Sequence, residues 1–88
     1  MQVSEIREHL ADLNPEALLL PDMDEALLGY ASVRQDGFVA VYDADRIIEI
    51  LVERDELDLA DAMAHFYHNI EGAYVGRGTP IYVWRPVE

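Results

Sequence analysis

Residues 38–54 read Phe-Val-Ala-Val-Tyr-Asp-Ala-Asp-Arg-Ile-Ile-Glu-Ile-Leu-Val-Glu-Arg, and the change of rhythm inside this stretch decides the fold class. Phe38–Tyr42 is β-branched and aromatic, the composition of a strand on a pleated surface. From Arg46 to Arg54 the apolar residues Ile47, Ile48, Ile50, Leu51 and Val52 recur at helical spacing. Asp43 and Asp45 stand at the junction. One can cap free backbone amides and the other can complement the helix dipole. A strand therefore runs straight into a helix.

Outward from this stretch, Arg34-Gln35-Asp36-Gly37 carries an Asp-Gly hairpin signature, and Ala26–Val33 reads as the preceding strand. Upstream, Ser4 can cap a helix to about Leu13, with Ile6, Leu10 and Leu13 on one stripe. Asn14-Pro15 stops it and can open a short helical turn through Leu20, followed by a loop at Pro21–Asp24. Downstream, Asp58 is a second cap, for a helix Leu59–Glu71 with Leu59, Met63, Phe66 and Ile70 on one face. Gly72 or Gly76 ends that helix, and Thr79-Pro80 returns the chain to extended geometry for a last strand, Ile81–Trp84. A proline at its start favours an edge position. The order predicts a single α+β domain over 1–88, a small antiparallel sheet of about three strands with helices packed on one face.

The 88 residues carry 18 acidic side chains against 6 basic ones, all arginine, for a net charge of −12. A polyanion is repelled by phosphate backbones and anionic lipid, so neither direct nucleic-acid binding nor membrane binding is expected. The hydrophobic share of 51% suffices for a core. The absence of cysteine removes disulfides, thiolate metal sites and a cysteine nucleophile. The charged start lacks the apolar stretch of a signal peptide, and no apolar run reaches the roughly 20 residues of a membrane helix, so a cytoplasmic protein is expected. Arginine without lysine suits a GC-rich genome, and acid excess also suits a salt-loving host.

Three groups of side chains could carry chemistry. Asp45, Glu49 and Glu53 form an acidic helical stripe, bordered by Arg46 and Arg54 and extended by Glu56 if the helix runs on. Such a row resembles a phosphate track and could fill a basic groove on another protein; its plainer role is a solvated face. A smaller acidic cluster, Asp22, Asp24 and Glu25, lacks the spacing of a calcium hand. Among the aromatics Tyr30, Phe38, Tyr42, Phe66, Tyr67, Tyr74, Tyr82 and Trp84, core packing is the first explanation. Tyr82 and Trp84 nevertheless share a face beside Arg77 and Arg85, the residue types that anchor interfaces. The third group, Asp61, His65 and His68 at i, i+4, i+7, is the alternative metal- or ligand-binding set. Neither serine sits in a glycine elbow, and Gly72, Gly76 and Gly78 do not make a phosphate loop, so no catalytic residue, cofactor or metal is expected and an enzyme is not.

The stretch 41–51, the acidic linker after it, Ala62 and Phe66, then Asn69, Gly72, Ala73, Gly76, Thr79 and Pro80 at their spacing form one pattern over somewhat more than half of the chain. This pattern resembles a family of small uncharacterised phage and prophage proteins. The resemblance implies a setting and not a reaction. Two departures, Asp55-Glu56-Leu57-Asp58 where a glycine and a methionine are expected and the His65/His68 pair, carry no metal site over. Read physically, Asn69 can tie its amide to the Gly76–Pro80 loop, and Gly72 and Gly76 permit close packing or positive φ, making a structural corner.

The leading expectation is a non-enzymatic acidic interaction protein, phage- or prophage-encoded, that binds a basic host protein through Asp45, Glu49, Glu53, Tyr82 and Trp84. One form is inhibition of a nucleic-acid-binding defence system, as an anti-CRISPR or anti-restriction protein does, by filling a phosphate-binding groove. The alternatives are the Asp61/His65/His68 domain and a protein that self-associates, as a homodimer, through the Ile81–Trp84 edge.

Overall fold

The computed structural model describes residues 2–34, 37–73 and 76–85. The hairpin turn at Gln35-Asp36 and Tyr74 of the aromatic set lie outside the described residues. Helix α1 (Val3–Leu13) is followed by a 3₁₀ turn (Asp24–Ala26), strand β1 (Leu27–Val33) and strand β2 (Gly37–Asp43). Helix α2 (Ala44–Arg54), helix α3 (Leu59–His65), a π-helical segment (Phe66–Glu71) and strand β3 (Ile81–Val83) complete the chain. The α+β class is as the sequence predicts.

The sheet order is β1-β2-β3, with the strand first quoted at its centre. The β1–β2 pair is antiparallel, with a register shift between Leu27 and Gly29. β3 pairs parallel to β2, Val41 opposite Ile81 and Asp43 opposite Val83, which corrects the expectation of a wholly antiparallel sheet. The reason is the connection. Three helical segments between β2 and β3 return the chain to the end where β2 began, so β3 runs in the same direction. β3 is an edge strand, a position its leading proline favours.

Most of the hydrophobic core lies on one side of the sheet. Leu27, Ala40 and Tyr42 meet Ile6 and Leu10 of α1, Ile47, Ile48, Ile50 and Leu51 of α2, Ala62 of α3 and Phe66. Phe38 and Tyr82 pack against this cluster from the same face. The pleat sends Ala31, Val33, Val39, Val41, Ile81 and Val83 to the other side, where Val39 is buried. There Ile81 and Val83 are 36% and 37% exposed.

Caps follow the sequence where a carboxylate stands at a helix start. Asp43 accepts from Arg46 N–H, and Asp58 accepts from Asp61 N–H. Ser4 does not cap α1: Gln2 is the N-cap and makes no side-chain bond, so Ser4 lies within the first turn. The helical turn expected over 14–20 is reduced to a single turn closed by Ala17 N–H donating to Asn14 O, and it does not run on to Leu20. Asn14 Oδ1 accepts from Glu16 N–H, its Nδ2 donates to Phe38 O, and the chain beyond Glu16 is drawn out by Leu18 N–H donating to Gly78 O and Leu20 N–H to the Tyr42 hydroxyl. These tertiary bonds outweigh the local preference. Leu59, expected on the buried face of α3, is exposed, and Ala62 is buried in its place.

Candidate functional site

The acidic stripe is ordered by two arginines. Arg46, in the first turn of α2, bonds Glu49 at 3.1 Å, lies 4.0 Å from Glu53, and bonds Glu25 of the 3₁₀ turn. Two acidic clusters that are 20 residues apart in sequence thus join on one surface, a meeting that sequence spacing did not reveal. Glu25 and Glu49 raise the pKa of Arg46 above its ordinary value through these hydrogen bonds. Arg54 instead turns to Asp55 and to Asp22 O. Glu56 lies beyond the end of α2 and has φ 55°, outside the stripe.

Arg85 closes the other end. Its Nε stands 2.9 Å from Asp43 Oδ2, its guanidinium 3.6 Å from Glu49, and its backbone N–H donates to Asp45 at 2.9 Å. Asp43 is the one buried charged side chain among the described residues, and its second oxygen caps α2. Four carboxylates (Glu25, Asp43, Glu49 and Glu53) therefore face two guanidinium groups, and a fifth, Asp45, holds the Arg85 backbone. The parallel entry of β3 is what delivers Arg85, and Trp84 before it, to the start of α2.

Tyr82 and Trp84 have different fates. Tyr82 is half-buried, stacked on Tyr42 with ring centroids 6.2 Å apart and edge-on to Phe66 at 5.4 Å. Burial pushes its hydroxyl pKa up to about 12, with smaller contributions from Tyr42 and Glu71. Burial also raises Tyr42, although the Leu20 N–H bond to its oxygen acts the other way. Trp84 is 43% exposed and Tyr67 44%. Their rings stack at 5.9 Å and 27°, with Phe66 edge-on behind Trp84 at 5.6 Å. Tyr82 is thus a packing residue, and Trp84 with Tyr67 forms the accessible aromatic surface. Tyr67 was missed because a helical position beside Phe66 carries no signal that a distant strand end will bring a tryptophan onto it.

Asp61, His65 and His68 are all exposed, and among the described residues no group of three histidine, aspartate or glutamate side chains could hold a metal ion. The α-helix ends at His65 and widens to the i+5 pattern from Phe66, so the i, i+4, i+7 register does not continue to His68. His65 Nδ1 lies 3.4 Å from the Asn69 amide. The loop that Asn69 was expected to tie is closed by Thr79, whose Oγ1 donates to Gly76 O at 2.7 Å. Gly76 has φ 114°, the positive φ read for it, and Pro80 is buried. Gly72 makes a close approach: a Cβ there would lie 2.7 Å from Tyr67 O, the carbonyl its own N–H bonds. Asp22, Asp24 and Glu25 line an open cleft of about 710 Å³ with Arg7 and Arg54, and Arg7 pairs with Asp24 at 3.0 Å.

No helix among the described residues is long and apolar enough to cross a membrane. Compared with family models, curated proteins and solved structures, the chain finds no match.

Proposed function

We propose that this is a small, non-enzymatic interaction protein, phage- or prophage-encoded and cytoplasmic, whose acidic face engages a basic host protein. The observation that supports this reading best is the convergence of Glu25 with Glu49 and Glu53 around Arg46, with Asp45 beside them on the Arg85 backbone N–H. Arg46 holds Glu49 in place, and Glu53 and Glu25 remain well exposed. Carboxylates one helical turn apart, roughly 5–6 Å, form a track of negative charge that suits a groove built for a phosphate backbone. In its most concrete form the protein occupies such a groove on a nucleic-acid-binding defence protein, without binding nucleic acid or membrane itself.

The test is capture of host proteins by the tagged chain at low and high salt, followed by affinity measurement with the purified partner. The expected partner is basic, nucleic-acid-binding and released as salt rises. Glu49→Arg/Glu53→Arg is expected to lower its affinity at least tenfold with the melting temperature within a few degrees, since exposed ion pairs contribute under about 1 kcal/mol each. A purified partner bound equally by that variant removes the reading.

Self-association is favoured by a separate observation, the apolar sheet side bearing Val41, Ile81 and Val83. It would run through this side and not through Tyr82, which points into the core. The expectation is a mass that rises with concentration in sedimentation and falls to the monomer in Val83→Glu; a wild-type monomer at every concentration counts against it.

A further inference from the structure

We infer that the Trp84–Tyr67 stack is a docking surface for an arginine side chain of a basic partner, held between the aromatic rings and the carboxylates at the start of α2. This deepens the proposed function and rests on it, since it names the partner group that the acidic surface receives.

Three observations carry it. The first is the shape of the aromatic surface. Trp84 is fixed by Phe66 edge-on and by Tyr67 in parallel, so its ring is already positioned while nearly half exposed. A rigid, exposed Trp–Tyr pair costs little ordering on contact, and these residue types dominate interface hot spots. The second is charge. Trp84 directly precedes Arg85, whose backbone N–H is bonded to Asp45. The Asp45 carboxylate therefore lies beside the Trp84 backbone, at the edge of a surface on which four further carboxylates share two guanidinium groups. An anionic or purely apolar partner does not suit that edge, and a cation does. The third selects arginine over lysine. The chain places a guanidinium of its own against Asp43 and Glu49, at 2.9 and 3.6 Å, so these carboxylates accept that planar group. A second guanidinium can stack on an indole and bond a carboxylate at once, whereas an ammonium is a compact, strongly hydrated charge.

The probes are two labelled nine-residue peptides of equal charge, all-arginine and all-lysine, titrated with the full-length chain at low ionic strength and followed by anisotropy. Trp84 is the single tryptophan, so its fluorescence reports contact directly. The expected result is that the arginine peptide binds roughly two- to five-fold tighter and quenches Trp84, while Trp84→Leu, which keeps an apolar contact with Phe66, binds both peptides equally. Tyr67→Ala is expected to reduce the preference as well. Equal affinities in the wild type, or a preference that survives Trp84→Leu, overturn the inference. If those equal affinities are both lost in Glu49→Arg/Glu53→Arg, the acidic reading stands without it. If neither peptide binds at low ionic strength, the acidic reading falls too.

Discussion

Replacing Phe66 with alanine is expected to destabilise the protein by about 3–5 kcal/mol, the range for removing a fully buried phenyl ring. Phe66 has no exposed surface, and its ring is edge-on to Tyr67, Tyr82 and Trp84 at 5.4–5.6 Å. It therefore supports two things at once: the core between the helices and β3, and the rear of the exposed aromatic pair. Marginal stability for a domain of this size is roughly 5–10 kcal/mol, so the loss is a large part of the whole. For small domains each kcal/mol moves the melting temperature by about 4–8 °C, which gives a fall of roughly 12 °C or more, or no cooperative transition at all. The emission of Trp84 should shift to longer wavelength in the folded variant, because the ring behind it is gone. Phe66→Leu, which keeps most of the volume, is expected to cost much less. A Phe66→Ala loss below about 1 kcal/mol would mean that the strand end and the π-helical segment do not pack as described.

Phe66 also marks the border between what the sequence makes legible and what it hides. The β2-to-α2 passage was readable because a β-branched and aromatic run gives way to a helical period across two aspartates, and Asp43 caps the helix as its position suggests. The mostly one-sided core followed from the same patterns. The direction of β3 was recoverable in principle, since three helical segments separate it from β2, but the hairpin pattern drew attention to antiparallel pairing. The widening of the last helix was not recoverable. It adds a residue to the turn after Phe66 with no proline or strand-forming residue to announce it, and with it goes the register that aligned His65 with His68.

The surface divides in the same way. Asp45, Glu49 and Glu53 are one stripe because a helix puts residues four apart on one side, a local fact. Glu25 joins them only because the 3₁₀ turn lies against α2, and Arg85 only because β3 is parallel. Alternation along a strand gives Tyr82 and Trp84 the same face without saying where the core ends. The core reaches Tyr82 and stops at Trp84, which leaves one residue for packing and the other for contact.

Gly78→Ala is expected to be the second most damaging change, at about 2–3 kcal/mol, and for steric reasons rather than conformational ones. A Cβ at Gly78 would lie 2.2 Å from Glu16 O, 3.0 Å from Glu16 C and 3.2 Å from Ala17 Cα. All three are backbone atoms, so no side chain can swing aside, and the two segments must separate. Leu18 N–H donates to Gly78 O at 3.0 Å, and that bond is lost with them. The extended segment after Asn14 would then hang on Asn14 at Phe38 O and Leu20 at the Tyr42 hydroxyl. Forcing a methyl into a closed contact typically costs 1–3 kcal/mol, and a broken, partly buried hydrogen bond adds about 1 kcal/mol. Gly29→Ala is the internal control: nothing lies within 4 Å of a Cβ there, and its stability is expected to stay within about 0.5 kcal/mol of wild type. Chemical denaturation of the two variants side by side separates the explanations. A large loss at Gly78 alone identifies the close approach of the loop to residues 16–17, whereas equal small losses would mean that the loop does not press on that segment.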